Sequence, residues 1–568
     1  MSESQREAFD GDARAHAIES VRSVLVQAPA GSGKTTLLAQ RYLRLLALVD
    51  GPERILALTF TRRAAQEMRQ RVLSALGAAS LSSCPQGMNE RTWSLAVAAK
   101  RRMDSLKCNM ELQPSRLRIE TIDAFNSWLA NQLSVTAGAG SALRILDDSR
   151  TAYQDAARRA LTHEGGDQFG LAVDRVLELD DQRWRKLVKL IAEMLPSRDR
   201  WLPLLAGRLQ AATALDQEQL SSVRRHFDED LSLLVARVLL RAQEVLGQEK
   251  TAALSPLMHR AAHRMSEPSR MAAWREPGGG LRPDPVDAER WRCMATLLLT
   301  AEGTLRKRMT ITEGFPQGCP DKAAMMQLLE EFDREPRALE MLVELRTLPD
   351  PAYNDEAWGR VREIAQVLVL AAAELDGVFR ERGAVDFAAV SLAALRALGK
   401  AEAPTDLGLR LDYRLQHILV DEFQDTSSAQ LELLRLLSAG WQKEDGRSIF
   451  CVGDPMQSIY GFRQAEVRAF LDLAEEGIGQ VQFDVKRLRS NFRSSPDLVN
   501  WINRCFAELM PRFDDRNRGA IAFRASEAAV TVSEGGGNAV ECLGFASRAA
   551  ESKAIADMIA REVARHLE

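Results

Sequence analysis

Between residues 21 and 130 short apolar runs alternate with longer stretches in which apolar residues recur every three or four positions. SVLVQA and RILALTF read as buried strands, and a helical period follows each of them. Such alternation predicts a parallel sheet with crossover helices. From 140 to 400 Leu, Ala, Arg and Glu dominate at helical spacing, as in FDEDLSLLVARVLLRAQEVL from Phe227 to Leu246. One loop-like segment, EPGGGLRPDP from Glu276 to Pro285, interrupts that region. Strand–turn–helix units return between 416 and 500 in HILVDE, SIFCVGD and VQFDVKRL. The expected fold is α/β, one parallel sheet split by a large all-helical insertion, with no internal repeat.

Composition narrows the field without deciding it. The 568 residues carry 75 Lys+Arg and 79 Asp+Glu, a net charge of −4, and are 46% hydrophobic. That is an ordinary globular balance, which excludes a disordered or collagen-like chain. The longest apolar stretch, Val367 to Ala373, is too short to span a bilayer, and the polar start MSESQREAFD lacks a signal-peptide core. Seven scattered cysteines with no Cys-x-x-Cys pair point to a reduced, cytoplasmic protein. Charge is uneven: Arg54 to Arg118 holds 12 basic and four acidic residues, a local excess of eight positive charges. Such an excess is either a footprint for phosphates or a solvated helical face.

The chemistry starts in SVLVQAPAGSGKTTLL, a strand, a small-residue loop and a helix start. Gly31 and Gly33 let backbone N–H groups wrap a phosphate, and the helix N-terminus adds its dipole. Lys34 can reach the outer phosphates and the Thr35 hydroxyl can ligate Mg²⁺. Ala28 stands where the phosphate-loop pattern has its first glycine, and Ala30, Ser32 and Thr36 complete the loop. In HILVDEFQDT the pair Asp421-Glu422 follows a buried strand, at the end where parallel sheets bind ligands. Asp421 suits a magnesium ligand, and Glu422 a base for the attacking water; an acidic first helical turn is the bland alternative. In FCVGDPMQSIYGFR, Gln457 can meet the terminal phosphate or the water, and Tyr460 and Phe462 offer faces to splayed bases unless they are core. LRSNFRSSP places Arg493 to reach the γ-phosphate from a second domain.

Taken in order, SQREAF, APAGSGKTT, LTFTRRAAQEM, IETIDAF, VDFAAV, ILVDEFQDTSSAQ, VGDPMQSIYGFR and LRSNFRSSP resemble the UvrD/Rep superfamily 1 DNA helicases. VGDP and the long insertion look more like the RecB/AddA branch of recombinational helicase–nucleases. The resemblance implies a P-loop NTPase (RecA-like) sheet that uses ATP and Mg²⁺. It implies that Gln5 reads the adenine edge and Phe492 stacks on it, beside Lys34, Thr35, Asp421, Glu422, Gln457 and Arg493 in the roles above. It implies that Thr59, Phe60, Thr61 and Thr121 line the path of a single strand, with Tyr460 and Phe462 beneath its bases. The partners implied are single-stranded and duplex DNA and an accessory nuclease or helicase subunit, with no membrane.

Expected boundaries are 1–135 and 376–480 for the first motor domain, 136–375 for the insertion and 481–568 for the beginning of a second RecA-like domain. Three departures from the pattern stand out. Asp123 occupies a position where His is common, and Ala388 and Ala389 replace acidic residues. After LRSNFRSSP the later motor motifs are absent, so the chain reads as a truncated motor. The leading expectation is a 3′→5′ DNA helicase of repair and recombination, which as this chain binds ATP with weak or absent turnover and no unwinding. The alternatives are an ATP-gated DNA-binding module and a P-loop enzyme acting on a small molecule.

Overall fold

The structure is a computed structural model and describes residues 10–110, 112–136, 144–146, 148–165, 168–179, 183–209, 217–265, 268–275, 280–458, 467–514, 519–529, 544–545 and 547–567. The chain divides into two compact units, Met1–Asp147 with Gly383–Glu568, and Asp148–Arg382.

The first unit opens with α1 (Gly11–Glu19), β1 (Val24–Gln27), α2 (Lys34–Leu46), β2 (Ile55–Thr59), α3 (Arg62–Ala78), α4 (Glu90–Ser105), β3 (Arg118–Thr121) and α5 (Ile122–Thr136). It resumes with α6 (Phe387–Leu398), α7 (Asp406–Arg414), β4 (His417–Val420), α8 (Ser428–Leu437), β5 (Ser448–Gly453), α9 (Val467–Glu476) and β6 (Asp484–Arg487). It closes with β7 (Ser490–Asn491), α10 (Pro496–Leu509), β8 (Glu527–Ala528) and α11 (Arg548–Leu567). Strands β1 to β6 form one sheet in the order β3-β2-β4-β5-β1-β6, and every neighbouring pair is parallel.

Strands β1, β2, β4 and β5 are buried along their whole length. Helices cover both faces of the sheet, which is why these strands read as continuous apolar runs. Val24 and Val26 pack with Leu37, Leu38 and Tyr42 of α2, whereas Leu25, Leu56 and Ile418 pack on the other side with Phe125 and Trp441. Side-chain caps set several helix starts: Thr61, Asn89, Asp386 and Ser427 accept from the backbone N–H groups of Ala64, Thr92, Ala389 and Gln430. A parallel sheet aligns all its C-terminal ends, so loops after β1, β2, β3, β4 and β5 share one rim. Beyond β6, Ser490 and Asn491 pair in parallel with Glu527 and Ala528, a second small sheet.

The elements described in the second unit are helical, the longest being Gln217–Leu246 and Asp355–Arg382. One of its cores gathers Trp291, Phe315 and Phe332, all essentially buried. Among the described residues no helix is long and apolar enough to cross a membrane, and the six described cysteines are free.

Candidate functional site

The phosphate loop leaves β1 at Ala28, whose N–H bonds to Gly453 O of β5 at 2.9 Å. Gly31 and Gly33 take left-handed backbone angles, φ +73° and +77°, a region glycine enters without steric cost. Gly33 is the cap of α2, so the first free N–H groups of that helix face the loop. A Cβ at Gly31 would overlap the Asn491 side chain and crowd Arg493. Gly31 therefore makes room for the LRSNFRSSP segment, and Phe492 N–H donates to Gly31 O at 2.8 Å.

Lys34, first residue of α2, turns back over this loop. Its Nζ donates to Ala28 O at 3.3 Å and lies 3.9 Å from Glu422 Oε2. Glu422 holds a left-handed conformation at φ 49°, which a non-glycine residue adopts only at some cost in strain. Two hydrogen bonds lock that turn: Glu422 N–H to Asp421 Oδ1 at 3.0 Å and Asp425 N–H to Glu422 O at 2.9 Å. The strain turns Glu422 out of line with β4 and toward Lys34.

Three buried acids surround the lysine. Burial, then the neighbouring Glu422 charge, pushes the Asp421 carboxyl up to about 7. The same two causes raise Asp425 to about 6. Burial also raises Asp454, while its bond from Gln457 and the charge of Lys34 oppose the shift. This is a concentration of negative charge that one lysine does not balance. Gln424 ties the acids together: its Nε2 donates to Glu422 Oε2 at 2.8 Å and Asp425 Oδ2 at 3.4 Å, and its Oε1 accepts from Asp454 N–H at 2.9 Å. Gln457 donates to Asp454 Oδ2. Thus the tips of β4, β5 and β1 meet at one place. Sequence reasoning assigned no role to Gln424, Asp425 or Asp454, although all three lie inside the quoted motifs.

Among the described residues no group of three or more His, Cys, Asp or Glu side chains forms a metal cage. Mg²⁺ asks for less than a cage. It is usually held by one or two carboxylates, a hydroxyl, waters and the substrate's phosphates. A buried aspartate at a strand tip, within the field of Lys34 and with the Thr35 hydroxyl next in the chain after that lysine, fits that oxygen donor set.

The DNA-path candidates gather elsewhere on the same rim. Thr59 and Thr121 are direct partners across β2 and β3. Both are buried: the Thr59 hydroxyl donates to Thr61 O at 3.3 Å and Thr121 Oγ1 accepts from Ala124 N–H at 3.1 Å. Thr61 is exposed and Phe60 half-buried. Arg493 is exposed beside the phosphate loop. Asp123 is exposed on α5. Gln5, Tyr460 and Phe462 lie outside the described residues. The basic segment is partly answered by acids preceding it: Arg91 faces Glu19 at 3.9 Å, Arg102 Asp50 at 2.7 Å and Arg116 Glu53 at 2.5 Å.

Two residues with no sequence signal brace the site. The Asp10 carboxylate, buried ahead of α1, accepts from Arg489 N–H and from Ser490 N–H at 2.8 Å. Arg14 donates to Ser32 O at 2.5 Å, and its guanidinium lies 5.2 Å from the centre of the Phe492 ring.

A family profile described as the UvrD/REP helicase N-terminal domain matches residues 11–477, most of the chain and every described strand of the main sheet except β6. The chain belongs to the UvrD/REP helicase family. Its similarity extends to an ATP-dependent helicase/nuclease subunit from Geobacillus kaustophilus (strain HTA426), 26% identical over 530 residues, covering 86% of this chain and 38% of that protein. The subunit of the same name in Bacillus pumilus (strain SAFR-032) is 26% identical over 522 residues, with 86% and 38% covered. That of Lactiplantibacillus plantarum (strain ATCC BAA-793 / NCIMB 8826 / WCFS1) is 25% identical over 506 residues, with the same coverage. This UvrD/REP helicase chain therefore spans about two fifths of the length of these relatives. The match takes in the α/β sheet from β1 to β5 together with its glycine loop.

Proposed function

We propose that this chain is the nucleotide-gripping motor of an ATP-dependent DNA helicase, moving 3′→5′ along single-stranded DNA in repair and recombination. The observation that carries the reading is the convergence of Lys34 with the Asp421-Glu422 pair, from opposite ends of the chain, above a glycine loop. The names of the relatives, which describe helicase/nuclease subunits, support a further step: the motor works beside a nuclease and a partner subunit.

In this reading the Gly31–Gly33 loop and the start of α2 wrap the phosphates of ATP, and Lys34 leaves Ala28 O to meet the outer phosphates. Thr35 and Asp421 would hold Mg²⁺, whose chemistry is neutralisation of charge on the phosphate oxygens. Glu422, already turned toward Lys34, takes the proton of the attacking water, and Gln457 orients that water. Arg493 neutralises charge from the second-domain side, which couples the terminal phosphate to closure of the cleft. Gln5 and Phe492 hold the adenine. Thr59, Phe60, Thr61, Thr121, Tyr460 and Phe462 line the strand path. The internal bonds of Thr59 and Thr121 give those two the task of shaping that path rather than reading bases.

The test is ATP turnover of the purified chain with and without single-stranded DNA, beside Lys34→Ala and Glu422→Gln. The reading expects nucleotide binding, DNA-stimulated turnover and loss of turnover in both variants. Nucleotide-dependent DNA binding without any turnover would favour an ATP-gated DNA-binding module instead. Turnover indifferent to DNA would point to a small-molecule P-loop enzyme.

A further inference from the structure

One residue outside every quoted motif joins three parts of the site. Arg524 lies just before β8, in the segment that pairs with β7. Its Nε donates to Gln27 Oε1 at 3.0 Å, its backbone N–H donates to Met456 Sδ at 3.3 Å, and its Nη2 pairs with Asp514. Each partner has a definite place. Gln27 is the last residue of β1, immediately ahead of the phosphate loop, paired on one side with Gly453 and on the other with Arg487. Met456 belongs to the turn Pro455–Gln457 and precedes Gln457 itself. Asp514 follows α10 and also accepts from Ala522 N–H at 2.8 Å, so it fixes the irregular segment that carries Arg524.

The polar arrangement around Gln27 is spare. Its side chain is 7% exposed, its Oε1 has Arg524, and its Nε2 has no hydrogen-bond partner among the described residues. A buried amide left with one partner has little else to fix its orientation. Beside it lies a cavity of about 290 Å³, lined among others by Pro29, Asp454, Met456 and Arg524. There is room there for the sensor turn and the loop to move relative to each other once the arginine lets go.

We propose that Arg524 is a positioning residue: it clamps the end of β1 and the Gln457 turn to the β7–β8 segment, so that phosphate loop and sensor move as one body with the beginning of the second motor domain. The inference rests on reading the site as ATP-hydrolysing. It adds that DNA-stimulated turnover passes through a guanidinium outside the glycine loop and the acidic pair. The backbone N–H holds Met456 while the guanidinium spans Gln27 and Asp514; lysine keeps the charge for Asp514 but cannot reach both side chains with a planar fork.

The experiment uses the whole chain and the variants Arg524→Ala, Arg524→Lys and Gln27→Leu, which breaks the same contact from the other side. ATP turnover with single-stranded DNA is expected to fall about tenfold in Arg524→Ala and Gln27→Leu, with KM for ATP within twofold of the parent. The loss should be partial in Arg524→Lys, and the double variant no worse than either single. A proportional change in KM, additive losses, or unchanged turnover would overturn the clamp. Amide hydrogen exchange supplies an arm that needs no catalysis. Residues 27–33 should exchange at least tenfold faster in Arg524→Ala while β2 and β3 stay as protected as in the parent, and equal exchange at 27–33 refutes the proposal. If Arg524→Ala does not fold, Gln27→Leu decides both arms. A parent chain with no turnover would remove the hydrolytic reading, and the exchange arm would still decide whether Arg524 clamps.

Discussion

The two ends of the same sheet are built on opposite rules. Strand β4 begins with His417 and is followed at its far tip by Asp421. At the His417 end the buried imidazole and guanidinium both have hydrogen-bond partners, although Arg41 Nε has none among the described residues. His417 Nδ1 meets Ser448 Oγ at 2.9 Å, and the buried Arg41 donates to Ile18 O at 2.8 Å, Ser20 O at 2.6 Å and Ser448 Oγ at 3.3 Å. The cation rests on the carbonyls at the end of α1, where a helix terminus carries partial negative charge. At the Asp421 end, three acids are pushed above their ordinary range, one glutamate is left-handed, and a lysine leans on its own loop. The lesson is that both ends bury charge, but one sets its cation on carbonyls of the fold while the other gathers acids around a single lysine beside the glycine loop.

Breaking the ligand end should cost function first. Lys34→Ala is expected to lower ATP turnover by about 10²–10³-fold, as for other single groups that stabilise developing charge, measured by steady-state phosphate release with the melting temperature held as control. Asp421→Asn sharpens the contrast because it should separate function from stability. Turnover falls by about 10²-fold, yet the nucleotide-free protein melts about 3–5 °C higher at pH 8, since a buried charge is no longer forced to ionise. Calorimetry of the two proteins checks it. At the other end the order reverses: Arg41→Met should cost about 2–3 kcal/mol by stranding the carbonyls of Ile18 and Ser20, read by denaturant titration, while turnover per folded molecule is kept.

The smallest effect is in pH. Burial, then the nearby Arg41 charge, lowers His417 to about 3. The unfolded chain therefore takes up a proton below its ordinary value near 6.5 that the folded chain refuses, and stability falls as the pH drops from there toward 3. Asp421 and Asp425 act in the opposite sense, since the folded chain binds their protons more readily, so their contribution grows as the pH drops from about 7 toward 4. His417→Asn should remove up to one proton from the acid slope of denaturant stability below pH 6.5 and leave the opposing slope in place.

The legible part of the molecule was what is local. APAGSGKTT and HILVDEFQDT are contiguous, and their residue types serve few purposes but phosphate and magnesium chemistry, so the sheet and the Lys34–Glu422 meeting could be anticipated. Helical periods in 140–400 announced helices, but carried no chemistry from which to read a role. What stayed hidden is long-range. Gln424 spanning two strand tips, Asp10 capping Arg489 and Ser490, and Arg524 reaching Gln27 all depend on which strands adjoin. The same holds for the local charge excess from Arg54 to Arg118: the pairing of Arg91, Arg102 and Arg116 with Glu19, Asp50 and Glu53, all outside that window, is not legible from the window alone.

The central claim is that Lys34 and the Asp421-Glu422 pair grip one magnesium-bound triphosphate. Titration of the chain with a fluorescent ATP analogue, with Mg²⁺ and with a chelator, tests it most directly. The account predicts saturable binding that needs Mg²⁺, survives Glu422→Gln and is lost in Lys34→Ala. Binding of equal strength in Lys34→Ala, or no binding by the parent chain, would contradict it.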